Sequence, residues 1–238
     1  MEPQLYSQQP PFLTAEQIKR EQAAFITQVY SWMTIALLVT ATVSIWVAST
    51  PAVLNIIFAN KLVFYGLLIG EVLLVMYLSA AVQRVSAKAA TAMFIGYAVM
   101  NGLTLASIFI LYTGGSIAST FFVTAGTFGA MSAYGYFTQR DLTSWGGFLL
   151  MALIGLIIAS IVNLFWQNET LYWVATYAGV LIFVGLTAYD TQKIKRMNVI
   201  GNAGTDDDRK EAIMGALTLY LDFINMFLYM LRLLGRRR

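Results

Sequence analysis

Residues 216–234 read ALTLYLDFINMFLYMLRLL. That length is close to the roughly 20 apolar residues an α-helix needs to cross a bilayer, yet Asp222 stands in its middle. A charge at the bilayer centre costs at least a few kcal/mol, so a chain that keeps one there has a partner or a task for it. The polar residues of this stretch and its approach are Glu211, Thr218, Asp222, Asn225, Tyr229 and Arg232. They recur at steps of seven, four, three, four and three, which puts them on one face of a helix. A greasy helix with one polar stripe belongs inside a bundle or along a cavity, its stripe turned toward other helices. A buried hydrogen-bond network that only locks packing is the alternative to a functional site.

The rest of the chain has the same character. Of its 238 residues 58% are hydrophobic and only 11% charged, and the mean hydropathy is +0.68, far from the quarter-charged norm of soluble domains. Stretches of membrane-crossing length run over residues 24–48, 62–82, 90–113, 116–138, 146–167, 171–192 and 212–234. The reading is an all-α integral membrane protein with seven transmembrane helices. Residues 1–23 form a cytoplasmic N-terminal tail and 24–238 a single seven-helix transmembrane domain. Residues 1–13 (MEPQLYSQQPPFL) hold three of the four prolines and lack the pattern of a signal peptide. Thr14 to Gln17 (TAEQ) fits a capping box. Connections as short as Gly114–Gly115 and 168–170 force antiparallel hairpins. No proline follows Pro51, so breaks in later helices are expected at glycine. Ala125, Gly129 and Ala133 form a small-xxx-small stripe that predicts a close helix contact.

Cysteine and histidine are both absent. Thiol nucleophiles, disulfides, imidazole ligands and a histidine pH switch are thereby excluded, and proton chemistry falls to carboxylates. The 15 basic and 12 acidic residues give a net charge of +3. Lys19, Arg20, Arg84, Lys88, Arg140, Lys193, Lys195, Arg196, Arg209 and Lys210 fall on one side of the predicted topology and only Lys61 on the opposite connections. That distribution follows the positive-inside rule and sets the N-terminus in the cytoplasm. The basic C-terminus GRRR then lies outside, against the same rule, with the last helix read as a full crossing. No basic patch interleaved with aromatics points to nucleic acid.

Asp190, in GLTAYDTQKIKR, lies near the cytoplasmic end of the sixth predicted helix. Asp222 lies about ten residues into the seventh, which starts from the same side, so the two carboxyls can face each other. Two carboxylates close together in low dielectric do not easily both ionise and tend to share a proton, which makes a proton-sensitive latch. An Asp190–Lys193 pair at the helix end is the plainer alternative. Glu71, halfway along the second predicted helix, bonds the stripe, lines the same cavity or sits alone at a helix contact, and Arg84 beyond it is a candidate counter-ion or an ordinary basic flank. Asn101, Thr104, Ser160 and Asn163 are read as packing groups. A cluster of Asp190, Asp222 and Glu71 offers oxygen ligands suited to a hard cation such as Ca²⁺. Asp206 to Asp208 read as helix-start acids, and the glycosylation pattern at Asn168 to Thr170 as a chance match.

GLTAYDTQKIK and ALTLYLDFINMFLYMLRLLG resemble the transmembrane Bax-inhibitor-motif family, and FFVTAGTFGAMSAYGYFTQRDLTSWG resembles its bacterial branch. The resemblance covers the chain from about residue 24 onward. It implies a last helix that is central and wrapped by the other six, and a pH-sensitive calcium leak in a bacterial inner membrane. By the same resemblance Asp190 and Asp222 gate the path through a shared proton and bind the ion, and Glu71 matches the family's acid on the second helix. Arg232 matches an arginine associated with the latch, with Arg84 as counter-ion to Asp190.

The leading expectation is therefore a passive, proton-modulated Ca²⁺ (cation) channel whose ion path includes Glu71, Asp190, Asp222 and Asn225, with no resident cofactor and no enzymatic activity. The second is a regulator that transports nothing and binds other membrane proteins, such as a membrane protease. The third is an intramembrane aspartyl protease using Asp190 and Asp222 as acid and base, although the glycine-flanked aspartate and the late proline motif of those enzymes are missing.

Overall fold

The computed structural model describes residues 14–238, so the predicted tail over residues 1–13 lies outside the described residues. The helices are α1 (Ala15–Ala48), α2 (Pro51–Ala59), α3 (Lys61–Ala81), α4 (Ala87–Leu105), α5 (Ser107–Leu111), α6 (Gly114–Phe137), α7 (Thr143–Trp166), α8 (Glu169–Met197) and α9 (Asp206–Leu234). A 3₁₀ turn, Val82–Arg84, follows α3. Among the described residues there is no β-strand, only an isolated bridge between Tyr112 and Arg237.

Six segments are long and apolar enough to cross a membrane: α1, α3 with its turn, α4 with α5, α7, α8 and α9. The seventh predicted span corresponds to α6. It has 24 residues and no charge, but its Gly, Ser, Thr and Ala content keeps it out of that set. At 1.5 Å per residue α1 is about 50 Å long, well beyond the ~30 Å hydrocarbon core, so it reaches outside the bilayer.

Side-chain caps fix most starts. Thr14 and Gln17 form the predicted capping box, and Asn60, Ser86, Thr113, Asn168 and Thr205 each accept from a first-turn N–H of α3, α4, α6, α8 and α9. Asn168 is thus a helix cap, and Asp206 to Asp208 occupy the first turn of α9. Capping by Thr113 draws Gly114 and Gly115 into α6, so the connection is Tyr112–Thr113. Gln167, in the left-handed conformation (φ 49°), closes α7 and permits the short turn into α8.

Two predicted features are corrected. The helix expected over 90–113 breaks at Ala106, not at a glycine. There the hydroxyl of Ser107 donates to the Thr104 carbonyl at 2.9 Å, a local competition that disturbs a helix ladder. The stripe of Ala125, Gly129 and Ala133 is not the packing face of α6: Gly129 and Ala133 are exposed, and the buried face is Ser116, Thr120, Thr124, Phe128, Ser132 and Gly135.

Packing follows burial. In α9 67% of the spanning window is inside the protein, against 11% in α3 and in α7. Four helices, α1, α4, α6 and α8, make the main contacts with α9, while α3 packs on α4 and α7 on α8. Tyr220 of α9 is fully buried. It meets Phe94 and Tyr97 of α4 edge-on, and its hydroxyl lies 2.7 Å from that of Thr40, which donates to the Ala98 carbonyl at 2.9 Å.

The bundle has two distinct ends. At one, Gly201 bonds Glu21, Ala87 bonds Asp206, and Gln192 bonds the Arg140 carbonyl. At the other, the C-terminal residues fold back: the Thr113 N–H donates to the Arg236 carbonyl at 3.2 Å and the Arg238 N–H to the Leu111 carbonyl at 3.0 Å. The Arg237 guanidinium donates to the Tyr172 hydroxyl at 3.3 Å.

Candidate functional site

The polar stripe of α9 faces a cavity of about 870 Å³ between α7, α8 and α9. Thr218, Asp222, Asn225 and Tyr229 all line it, opposite an apolar α7 wall that includes Leu153, Ile157 and Ile161. Asp190 and Tyr189 enter from α8. Helix period alone brings the four α9 residues to one side, and the antiparallel α8–α9 hairpin brings Asp190 level with Asp222.

Asp190 and Asp222 are 8% and 5% exposed, and their carboxyls lie close enough to act on each other. Among the described residues Asp222 Oδ2 is buried with no hydrogen-bond donor, and a bond to it from the neighbouring carboxyl needs a hydrogen on that group. Lys193 lies at the cavity margin close enough to act on Asp190. Among the described residues it forms no ion pair with it, as the plainer reading of Asp190 required. Asn225 lines the cavity, and its Nδ2 donates to the Leu221 carbonyl at 2.8 Å.

The other predicted site residues are elsewhere. Glu71 is buried (8% exposed) but does not line this cavity: it accepts from the Thr104 hydroxyl at 2.8 Å on the α3–α4 contact, near Tyr97 and Tyr220. Arg84 is exposed on the turn after α3 and meets neither aspartate. Arg232 also is not beside them. Its guanidinium lies 5.1 Å from the Tyr229 ring centre and 5.8 Å from that of Tyr172. No group of three or more acids that could hold a metal ion occurs among the described residues, so the predicted three-acid cluster does not form. The physical reason is that α3, which carries Glu71, packs outside α4 and is separated from α8.

In the α6–α7 connection, Asp141 accepts from the Thr143 hydroxyl (2.6 Å), the Thr143 N–H (3.1 Å) and Arg196 (2.8 Å). These bonds, Thr143's first, hold its pKa down at about 2. The contact ties the start of α7 to the end of α8, one turn beyond Lys193.

Residues 22–238 match the family described as "Inhibitor of apoptosis-promoting Bax1". The chain belongs to the Bax1-I family. Among family relatives it is similar to "Inner membrane protein YbhL" of Escherichia coli K12, at 54% identity over 215 residues covering 90% of this chain and 92% of that protein. It is also similar to an uncharacterized protein of Borreliella burgdorferi (44% identity; 90% and 92% covered) and to the uncharacterized protein RP147 of Rickettsia prowazekii (44%; 90% of each). It is thus a membrane protein of the Bax-inhibitor type.

Sequence reasoning missed two close approaches that shape this Bax1-I site. A Cβ added at Gly146 of α7 would lie 2.3 Å from the Tyr189 ring, so the glycine lets that ring sit beside Asp190. A Cβ at Gly135 of α6 would lie 2.2 Å from the Ala188 carbonyl, so α6 presses on α8 two residues before Asp190. A glycine in a helix is visible in the sequence, but its neighbour is not.

Proposed function

We propose that the protein is a proton-modulated leak path for Ca²⁺ or similar hard cations, gated where Asp190 and Asp222 meet. The observation that carries the reading is the juxtaposition of two buried carboxyls from adjacent helices on the wall of an intramembrane cavity. A carboxyl pair in low dielectric holds one hydrogen more readily than none. While it is held, the carboxyls bond each other; when it leaves, they repel, and a divalent cation is their natural replacement. Asn225, Thr218 and the Tyr229 hydroxyl supply further oxygens along the same wall. Two acids fall short of the charge of a tight Ca²⁺ site, which suits an ion that must also leave.

The path needs α6 as a seventh crossing and the last helix as the inner one, as the burial of α9 and the position of the C-terminus opposite the α8–α9 connection support. Ten of the fifteen basic residues lie at the end that holds the α8–α9 connection, so we place that end, with the N-terminus, in the cytoplasm. The membrane is taken as the inner one, in line with the name of the Escherichia coli relative. Glu71, Arg84 and Arg232 are left out of the pair itself.

The test is Ca²⁺ flux into liposomes containing the purified protein. Flux that changes between about pH 6 and about pH 8, and loses that dependence in Asp190→Asn and Asp222→Asn, supports the reading. Flux and pH response unchanged in both variants refute it.

A further inference from the structure

Beyond the aspartate cavity, towards the C-terminal end, lies a second cavity of about 620 Å³. It is bounded by Asn163, Gln167, Glu169, Tyr172, Arg232 and Arg237 among others. The two cavities lie on the same three helices in succession. Leu164 of α7 borders the first and Asn163 the second, and Tyr229 of α9 borders the first and Arg232, one turn on, the second. Asp222 to Arg232 spans about 15 Å of helix.

Tyr229 stands at the junction. Its ring stacks on Phe183 of α8 at 5.9 Å between centres and 24° between planes. It carries the Arg232 guanidinium 5.1 Å from its centre. It also lies against bare α8 backbone: a Cβ added at Gly179 would meet three ring carbons at 2.6–2.7 Å. A flat ring seated on a glycine and held between an aromatic neighbour and a cation is fixed by packing rather than free to swing.

We infer that Tyr229 is the partition between the aspartate cavity and an arginine-lined outer vestibule, and that it limits passage between them. The inference rests on the ion-path reading for its consequence, though not for its geometry. A cation leaving the carboxyl pair toward the C-terminal end must pass the ring and then a lining of two guanidinium groups and one carboxylate, Arg232, Arg237 and Glu169, a net positive barrier of the kind that sets selectivity in narrow pores. Removing the ring joins the two cavities; replacing it by Phe keeps them apart.

The chain contains no cysteine, so Asn225→Cys gives a single thiol on the Asp222 side of the ring. The probe is a small, cationic, membrane-impermeant methanethiosulfonate applied to the face that bears the C-terminus. With Tyr229 or Tyr229→Phe we expect slow labelling. With Tyr229→Ala we expect labelling several-fold faster, with Tyr229→Leu, which preserves more of the packing, in between. In the Asn225 background Tyr229→Ala should also raise Ca²⁺ flux several-fold. Labelling from the opposite face at one rate in every variant verifies that the fold is kept. Equal labelling from the C-terminal face in all four proteins overturns the partition. Faster labelling in Tyr229→Ala with no Ca²⁺ flux in any variant upholds the partition and counts against the leak path instead.

Discussion

Gly135→Ala and Gly129→Ala make the same chemical change six residues apart on α6, and the structure gives them opposite signs. At Gly129 an added Cβ has no neighbour within 4 Å among the described residues. The exchange then only removes backbone freedom, worth up to about 1 kcal/mol in favour of the helix. At Gly135 the new carbon would sit 2.2 Å from the Ala188 carbonyl oxygen and 3.0 Å from its Cα. That neighbour is backbone of a packed helix, so α6 and α8 must part by about 1 Å, at an overpacking cost of ~2–3 kcal/mol. Less the same propensity gain, the net loss is ~1–2 kcal/mol, or an apparent Tm lower by about 2–8 °C for a chain of this size. Thermal melts of the two variants and the parent in one detergent supply the comparison. A Gly135→Ala protein that melts at or above Gly129→Ala refutes the close α6–α8 contact, and with it the packing that positions Asp190.

Three further outcomes follow from named contacts. Thr40→Val deprives the buried Tyr220 hydroxyl of its 2.7 Å partner and should destabilise by ~1–3 kcal/mol, read by the same melts. Glu71→Gln keeps an acceptor for Thr104 and should leave the pH response of Ca²⁺ flux unaltered, whereas Thr104→Val strips the acid of its 2.8 Å donor and should cost ~1–3 kcal/mol of stability. Asp141 has its folded pKa held down at about 2, below the ~3.9 of an unfolded aspartate. Its contribution is therefore complete above about pH 4 and is lost as pH falls through about 2. The stability gap between the parent and Asp141→Asn should be flat from neutral to weakly acidic pH and close only under strong acid.

Much of this was legible in the residues because run length and helix period did the reporting. Apolar runs of membrane length located the long helices, and the spacing of Thr218, Asp222, Asn225 and Tyr229 placed them on one wall before any coordinates. The antiparallel run of the last two predicted helices, joined by one cytoplasmic connection, then brought Asp190 and Asp222 to the same half of the bundle. What failed depended on neighbours rather than on period. Glu71 has the depth for the aspartate cavity, but depth does not say which helix it faces, and Thr104 takes it. Small residues on α6 lie on both faces, so Ala125, Gly129 and Ala133 looked like a contact while the hydroxyl-rich face with Gly135 makes it. Arg232 lies on the stripe yet ends up over Tyr229 and Tyr172, because ten residues of helix carry it to the far end. The α2 helix, begun by Pro51, and the fold-back of the C-terminal residues onto Tyr112 and Thr113 had no clear pattern to announce them.

The most direct trial of the central claim is a four-way comparison of Ca²⁺ flux against pH for the parent, Asp190→Asn, Asp222→Asn and the double variant. If one hydrogen is shared by the pair, either single change removes the shared site, so the double variant should behave like the singles rather than as the sum of two effects. Two effects that add independently, or a pH response that survives in the double variant, would contradict it.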